Sequence, residues 1–322
     1  MNPKLSVVIP VFNEEESIPH LCERLHEVLS SMSLKYEVII VDDGSTDGSW
    51  QKLKEYASKY TYFRLIRFRR NFGQTAALSA GFDAARGEII ITMDADLQND
   101  PADIPRLVAE IESGYDVVSG WRQKRKDPFI TRRLPSIIAN ALISRVTGVK
   151  LRDFGCTLKA YRREILDDVR IYGEMHRFIP ALAWWVGGKI NEIPVVHHPR
   201  KFGKSKYNIT RTIRVLLDLM TVSFLIRYST RPLHIFGKIG LFFGIPGILI
   251  LGGIILCHLS WQIFGTEFGK DLIKRPLWII APFMLILFCL QFIILGLITE
   301  MLVRTYHESQ KRPIYFIRER IN

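Results

Sequence analysis

The chain has 322 residues, of which 48% are hydrophobic and 24% charged, with a formal net charge of +12. Apolar content at that level excludes a disordered chain, and ordinary Gly, Pro and Cys counts exclude collagen-like and disulfide-stapled scaffolds. Cys22, Cys156, Cys257 and Cys289 lie far apart with no C-x-x-C pair, so a zinc ribbon is excluded and a reducing compartment is expected.

From the N-terminus, a brief polar start runs directly into a strand-like segment, unlike a signal peptide. Apolar, β-branched runs at Leu5–Val11, Tyr36–Val41, Phe63–Phe68, Glu88–Met93 and Tyr115–Ser119 predict five strands. Helical patterns separate them, and that alternation predicts an α/β domain with a mostly parallel sheet. Ligands in such sheets bind at the carboxyl ends of the strands. These ends read Pro10-Val11-Phe12-Asn13-Glu14-Glu15, Asp42-Asp43-Gly44-Ser45-Thr46-Asp47 and Asp94-Ala95-Asp96-Leu97-Gln98. Acidic residues from three strands therefore converge on one edge.

No G-x-G-x-x-G or Walker loop is present, which argues against nicotinamide chemistry and P-loop phosphoryl transfer. Carboxylates face a diphosphate only with a cation between them, and a hard divalent ion takes carboxylate and amide oxygens. Asp94, Asp96 and Gln98 occupy alternate positions, so an extended backbone would present all three to one cleft. Asp42 or Asp43 suits a nucleobase or ribose, whereas Asp47 suits the cap of the next helix. Arg69-Arg70-Asn71-Phe72-Gly73-Gln74, after the third strand, would bring positive charge and backbone N–H groups to a diphosphate, which makes Asn71 and Gly73 donor-site candidates.

Further along, Pro128–Thr147 and Tyr207–Tyr228 read as amphipathic helices suited to a bilayer surface. Trp184-Trp185 and His197-His198 are assigned to packing. Nine basic residues against the single acid Asp218 fall between Arg200 and Lys238, which favours anionic lipid or phosphate over nucleic acid. Ile239–Cys257 and Leu277–Thr299 carry no formal charge and are each long enough to span a membrane. The flanking Lys and Arg put both termini in the cytoplasm. Gly240 and Gly244 form a G-x-x-x-G pair that suits close helix approach, within the chain or in a homo-oligomer. The resulting organisation is a catalytic domain at 1–206, a juxtamembrane region at 207–234, two spans within 235–303 and a tail at 304–322.

The strand-end motifs, with Gly120-Trp121-Arg122, Arg132-Arg133, Asp153–Arg163 and Arg200–Tyr207, closely resemble family 2 glycosyltransferases of the polyprenyl-phosphate type. The resemblance covers essentially the whole soluble part. It implies a GT-A fold, with Pro10, Glu14 and Asp43 along the nucleotide and Asp94 near the diphosphate and sugar. It makes Asp96 and Gln98 ligands of Mg2+ or Mn2+. Arg122, Arg132 and Ser136 fall where the lipid phosphate is held, with Lys206 assigned to the same anion, and Arg200 lies in a loop closing over the donor. The Q-x-x-R-W signature of processive synthases is missing, which implies transfer of a single sugar.

Physics supports an arginine-rich acceptor site: a polyprenyl phosphate must approach an anionic nucleotide-sugar, and planar guanidinium forks offset that repulsion. An ionised phosphate is itself nucleophilic, so Asp94 and Asp153 are expected to orient groups and not to serve as an essential base. The expected reaction is inverting transfer of glucose from UDP-glucose to undecaprenyl phosphate at the cytoplasmic face of the inner membrane. Mannose, N-acetylglucosamine or formyl-aminoarabinose donors, and an inactive membrane tether, stand as alternatives.

Overall fold

The computed structural model describes residues 3–123, 134–169, 171, 175–199, 219, 233–264, 276–309 and 315–321. The chain divides into one unit of Met1–Ser223 with Pro313–Asn322, and a second of Phe224–Arg312.

The first unit is built on strands β1 (Leu5–Val11), β2 (Tyr36–Asp42), β3 (Phe63–Phe68), β4 (Ile89–Thr92), β5 (Val117–Trp121), β6 (Lys159–Arg162), β7 (Ile190–Pro194) and β8 (Ile317–Ile321). They form one sheet in the order β7-β5-β6-β4-β1-β2-β3-β8. β1 pairs in parallel with β2 and β4, β2 with β3, and β5 with β7. β6 runs antiparallel between β4 and β5, and β8 runs antiparallel along β3. The five strands expected from sequence are present, and β5 begins two residues later than expected. All five point the same way, so their carboxyl ends share one edge.

The α-helices of this unit among the described residues are α1 (Ile18–Ser30), α2 (Ser49–Lys59), α3 (Gln74–Ala84), α4 (Ile104–Glu112), α5 (Leu134–Thr147), α6 (Arg163–Asp168) and α7 (Ile179–Trp185). The apolar spacing of α1 explains its seat: Ile18, Leu21, Cys22, Leu25 and Leu29 recur at helical intervals and are all buried. α4 repeats the pattern with Ile104, Leu107, Val108 and Ile111. β1 is buried along nearly its whole length, as a central strand covered on both faces must be. Pro10 is tolerated there because the pairing with β4 ends at Val8, short of the ring that lacks an N–H.

α3 lies unusually close to β1. A Cβ on Gly81 would come within 2.1 Å of Val8 Cγ1, a stiff, fully buried side chain. Alanine in a helix ordinarily gains up to about 1 kcal/mol over glycine, but overpacking costs about 1–3 kcal/mol and decides the sign here. Gly81→Ala is therefore expected to lower the melting temperature in a thermal unfolding scan.

On α5, Ile143 is buried while Ile137 and Leu142 are exposed, so the helix is only partly covered. Residues 128–133, and 207–228 apart from Leu219, lie outside the described residues. Trp184 and Trp185 are half exposed, and a Cβ on Gly148 would lie 3.3 Å from the Trp184 ring.

Among the described residues, the second unit holds two helices, Leu233–Phe264 and Pro276–Ser309. Within them Ile235–Ile263 and Pro276–Thr299 are long and apolar enough to cross a membrane, with mean hydropathies of 2.5 and 2.6. They contain both stretches expected from sequence. The glycine stripe is used inside the chain: Cβ atoms on Gly240, Gly244 and Gly247 would meet Cys289 O at 3.0 Å, Cys289 Sγ at 2.6 Å and Leu285 Cβ at 3.0 Å. Small residues let these two helices approach closely, as G-x-x-x-G pairs do.

Candidate active site

The carboxyl ends of β1 and β2 are stitched together by short polar side chains. Asn13 takes a left-handed conformation, φ 54°, and its Oδ1 accepts the Thr46 N–H at 2.8 Å, while its own N–H reaches Ser45 Oγ at 3.0 Å. The Glu14 N–H donates to Ser49 Oγ at 2.9 Å, and Ser17 Oγ donates to the Glu14 carboxylate at 2.8 Å. Asp47 Oδ1 accepts the Ser49 N–H at the start of α2, the capping role expected of it. Pro10, Glu14, Asp42 and Asp43 are thus gathered at adjacent strand ends.

Asp42 is fully buried, accepts the Ser45 N–H at 3.0 Å, and has Arg67 Nε 3.2 Å from Oδ2 without hydrogen-bond alignment. Burial raises its pKa above the ordinary carboxylate value. Asp43 reaches across to the loop after β3, accepting the N–H groups of Phe72 at 2.7 Å and Gly73 at 2.9 Å. Gly44, φ 72°, follows at once, and a Cβ there would lie 2.5 Å from Arg70 C, so the turn sits directly on the loop backbone. Asn71 is exposed and Gly73, φ 95°, opens α3. Two N–H groups expected to meet a diphosphate are therefore spent on Asp43; the loop is held in place by them.

Burial pushes the Asp43 carboxyl from 3.8 up to about 6, against the two backbone donors that lower it. With its pKa raised on folding, the native state binds more protons than the unfolded chain between these values. This group's contribution to stability is full below the unfolded pKa and is lost as pH rises through about 6. Asp43→Asn is expected to flatten the fall in melting temperature between pH 4 and pH 6.5 relative to the parent, measured by thermal scans in detergent.

At the end of β4 the backbone departs from the expected geometry. The strand stops at Thr92, and Leu97 is left-handed with φ 60°. Asp94, Asp96 and Gln98 therefore sit on a turn, not along one strand face. Asp96 is buried and its Oδ1 accepts the Gln98 N–H at 3.1 Å, an Asx-type closure that stabilises the turn. Asp94 is clamped from both sides, by Gln74 Nε2 at 2.8 Å and Thr157 Oγ1 at 2.7 Å. Each bond to a charged acceptor is worth about 1.5–3 kcal/mol. Thr157→Val should lower the rate of the chemistry at this site by roughly tenfold, and Thr157→Ser should restore it; steady-state kcat for both variants checks this.

Beside β4, the antiparallel insertion of β6 brings Asp153 to Arg122 at the end of β5. Arg122 Nε donates to Asp153 Oδ2 at 2.7 Å and Nη2 to Oδ1 at 2.9 Å, a bidentate fork. Burial works against the guanidinium charge, and the Asp153 carboxylate more than offsets it, holding the group firmly protonated. Two of the five N–H donors a guanidinium carries are committed to Asp153, which leaves capacity for a second anion. Asp153 is fixed in turn by Glu192 Oε1, which accepts the Arg152 and Asp153 N–H groups at 2.9 and 3.0 Å. Ser136 lies on α5 one turn before Asn140, whose Nδ2 donates to Arg152 O at 2.8 Å, so that helix face addresses the Arg122–Asp153 loop. Arg132, Arg200 and Lys206 lie outside the described residues.

Several supporting residues went unrecognised in the sequence. Gln74 and Thr157 hold Asp94. His198 N–H donates to Gln98 O at 2.9 Å and His197 forms a bridge with Asn99, so the histidine pair braces the acidic turn. Lys159 is buried with Nζ 3.0 Å from Phe154 O, and burial pulls its ammonium down to about 8. Thr75 Oγ1 and His176 Nδ1 lie 2.8 Å apart under α3. Apart from Lys159, whose acceptor lies five positions back, these contacts carry no local sequence signal, because each partner comes from a distant segment.

Among the described residues no group of three or more His, Cys, Asp or Glu side chains could hold a metal ion. Asp42 and Asp43 serve Ser45, Phe72 and Gly73, so the converging acids do not form one cage. The Asp96 carboxylate and the Gln98 carboxamide are hard oxygen donors two positions apart, which fits a divalent ion that completes its shell with diphosphate and water.

The sequence profile described as glycosyl transferase family 2 matches residues 6–170. A dodecaprenyl-phosphate galacturonate synthase of Rhizobium johnstonii is 46% identical over 323 residues, covering 98% of this chain and 92% of the relative. An undecaprenyl-phosphate 4-deoxy-4-formamido-L-arabinose transferase of Proteus mirabilis is 40% identical over 317 residues, covering 98% and 93%. Among solved structures, glucosyl-3-phosphoglycerate synthase of Mycobacterium tuberculosis with UDP superposes with a TM-score of 0.54 at 18% identity, covering 69% of this chain and 80% of that one. The same enzyme with Mn2+, UDP and glucosyl-3-phosphoglycerate gives 0.53 at 17% identity, covering 70% and 80%. That likeness fixes the GT-A fold expected from the sequence.

Proposed function

The chain belongs to glycosyl transferase family 2, and from that membership we propose that it moves one sugar from a UDP-sugar to the phosphate of a polyprenyl lipid. The observation that carries this reading is the 46% identity, across 98% of the chain, to an enzyme named for dodecaprenyl-phosphate galacturonate synthesis. UDP-glucose, the donor expected from sequence, gains no support from the polyprenyl-phosphate relatives. Galacturonate is the proposed sugar. 4-Deoxy-4-formamido-L-arabinose is the second reading, favoured by the 40% identity to its transferase over an equal share of the chain.

The site's own groups suit that chemistry. Asp43 fixes the loop after β3 against the end of β2, and Pro10, Glu14, Asp42, Asn71 and Gly73 line the nucleotide side. Asp94, held by Gln74 and Thr157, orients the sugar. Arg122, fixed by Asp153, takes the lipid phosphate with Ser136, Arg132 and Lys206, and Arg200 is assigned to the donor side. A lipid phosphate oxygen attacks the anomeric carbon, the bond from that carbon to the UDP diphosphate oxygen breaks, and UDP leaves with inversion. The phosphate is ionised at neutral pH, so no protein base is required. Asp96 and Gln98 would hold Mg2+ or Mn2+, which when bound stabilises charge on the diphosphate leaving group.

Membrane attachment follows the two apolar helices, with 207–234 at the bilayer surface and the catalytic part within 1–206. β8 shares a sheet with β1, which supports both termini on one side and an even number of crossings between Pro194 and Ile317. Lys and Arg bias assigns that side to the cytoplasm.

UDP release by the full-length chain in detergent, with dodecaprenyl phosphate and each of UDP-galacturonate, UDP-4-deoxy-4-formamido-L-arabinose and UDP-glucose, tests the sugar. Turnover with UDP-galacturonate at least about 100-fold above UDP-glucose is expected. Faster turnover with glucose overturns the assignment.

A further inference from the structure

The residues after the second apolar helix return to the catalytic sheet. β8 pairs antiparallel with β3, and the register slips between Arg67 and Phe68, where Ile317 and Glu319 oppose consecutive β3 residues. This bulge lies at the end of β3 from which the loop Arg69–Gly73 departs. Bulges of this kind re-aim the chain beyond them.

The contacts continue past the strand. The Arg69 N–H donates to Phe316 O at 3.1 Å. The Tyr315 ring stacks on Phe68 with centroids 5.1 Å apart and interplanar angle 15°, and its hydroxyl donates to Asp83 Oδ2 on α3 at 2.8 Å. Phe72 sits edge-on to Phe68 at 5.7 Å, lies 6.0 Å from Phe316, and carries the Arg70 guanidinium 4.3 Å from its centroid. Phe72 is also the residue whose N–H donates to Asp43. One line of contact therefore runs from Tyr315 and Phe316, through Phe68 and Phe72, to the Asp43 carboxylate.

We propose that the C-terminal segment Tyr315–Ile321 is a positioning element of the donor site, clamping the loop Arg69–Gly73 so that Asp43 and the nucleotide side of the cleft are preorganised. It rests on the reading that this loop faces the donor nucleotide. Tyr315 and Phe316 touch no reacting atom; they act through Phe68, Phe72 and the Arg69 backbone. A covered β3 edge alone calls for any strand-forming sequence. The aromatic pair that reaches beyond the strand end is what the loop requires.

The test is UDP binding in the presence of MgCl2, measured by calorimetry on the full chain in detergent, with a thermal scan of every variant. Phe316→Ala and removal of residues 315–322 should each weaken UDP binding about fivefold or more, the loss that one net contact of about 1 kcal/mol produces. Phe316→Tyr should restore it, and kcat at saturating donor should change less than donor KM. If the truncated chain does not fold, Phe316→Ala and Tyr315→Phe decide the matter. Asp43→Asn serves as the reference. Variants that fold and bind UDP like the parent, while Asp43→Asn loses binding, overturn the clamp and leave the donor reading intact. Unchanged binding in Asp43→Asn overturns the donor reading and the clamp with it.

Discussion

Asp96→Asn is expected to lower sugar transfer by about 100- to 1,000-fold with little change in melting temperature, the loss typical when one charge-stabilising group is removed from an active site. The two side chains have the same shape. An asparagine Oδ1 can still accept the Gln98 N–H, so the turn that keeps Leu97 at φ 60° survives. What disappears is one negative charge among hard oxygen donors, at the position assigned to a divalent cation. Transfer within tenfold of the parent would remove the metal assignment from Asp96. Initial rates of lipid product formation, beside a thermal scan, decide it.

The second large effect concerns the Arg122–Asp153 fork. Its two side chains are only 19% and 3% exposed, so removing one partner leaves a buried charge uncompensated, at a cost of about 3–5 kcal/mol. Arg122→Met and Asp153→Leu should each lower the melting temperature by roughly 10 °C. The double variant replaces both charges with apolar groups and should regain most of that stability. Transfer should stay lost in all three proteins, because the guanidinium is assigned to the lipid phosphate as well as to Asp153. A double variant that recovers both stability and transfer would make the pair purely structural. The cycle separates the two roles because only one of them survives the loss of both charges.

Much of this arrangement was legible in the residues. β1 to β5 are apolar, β-branched runs bounded by polar turns, and the two long helices carry the uncharged stretches Ile239–Cys257 and Leu277–Thr299. Strand ends rich in Asp and Asn mark the site edge in the sequence itself. The local geometry was less accessible. Asp94, Asp96 and Gln98 have the spacing of one strand face, yet the turn is set by Asp96 closing on the Gln98 N–H and by His197 and His198 bracing it from about one hundred residues away. β6 carries a weak strand signal because Lys159-Ala160-Tyr161-Arg162 begins and ends on charged residues, and its buried lysine donates to the Phe154 carbonyl. β8 reads Ile317-Arg318-Glu319-Arg320-Ile321, a polar sequence beyond two membrane-type helices, and its strand identity comes from β3. The Arg122–Asp153 fork joins residues 31 positions apart, on either side of α5. Long-range pairing is the common cause, since periodicity reports which face is apolar and says nothing of the partner.

The central claim is transfer of a sugar onto a polyprenyl phosphate, and its most direct test is the partition of radiolabel between water and organic solvent. Full-length protein in detergent is incubated with UDP-galacturonate labelled in the sugar, dodecaprenyl phosphate and MgCl2, then extracted. The account predicts label in the organic phase that requires the lipid phosphate, is abolished by EDTA and returns with excess Mg2+. Label that stays in the aqueous phase with folded protein, for galacturonate and for the formamido-arabinose donor alike, would contradict it.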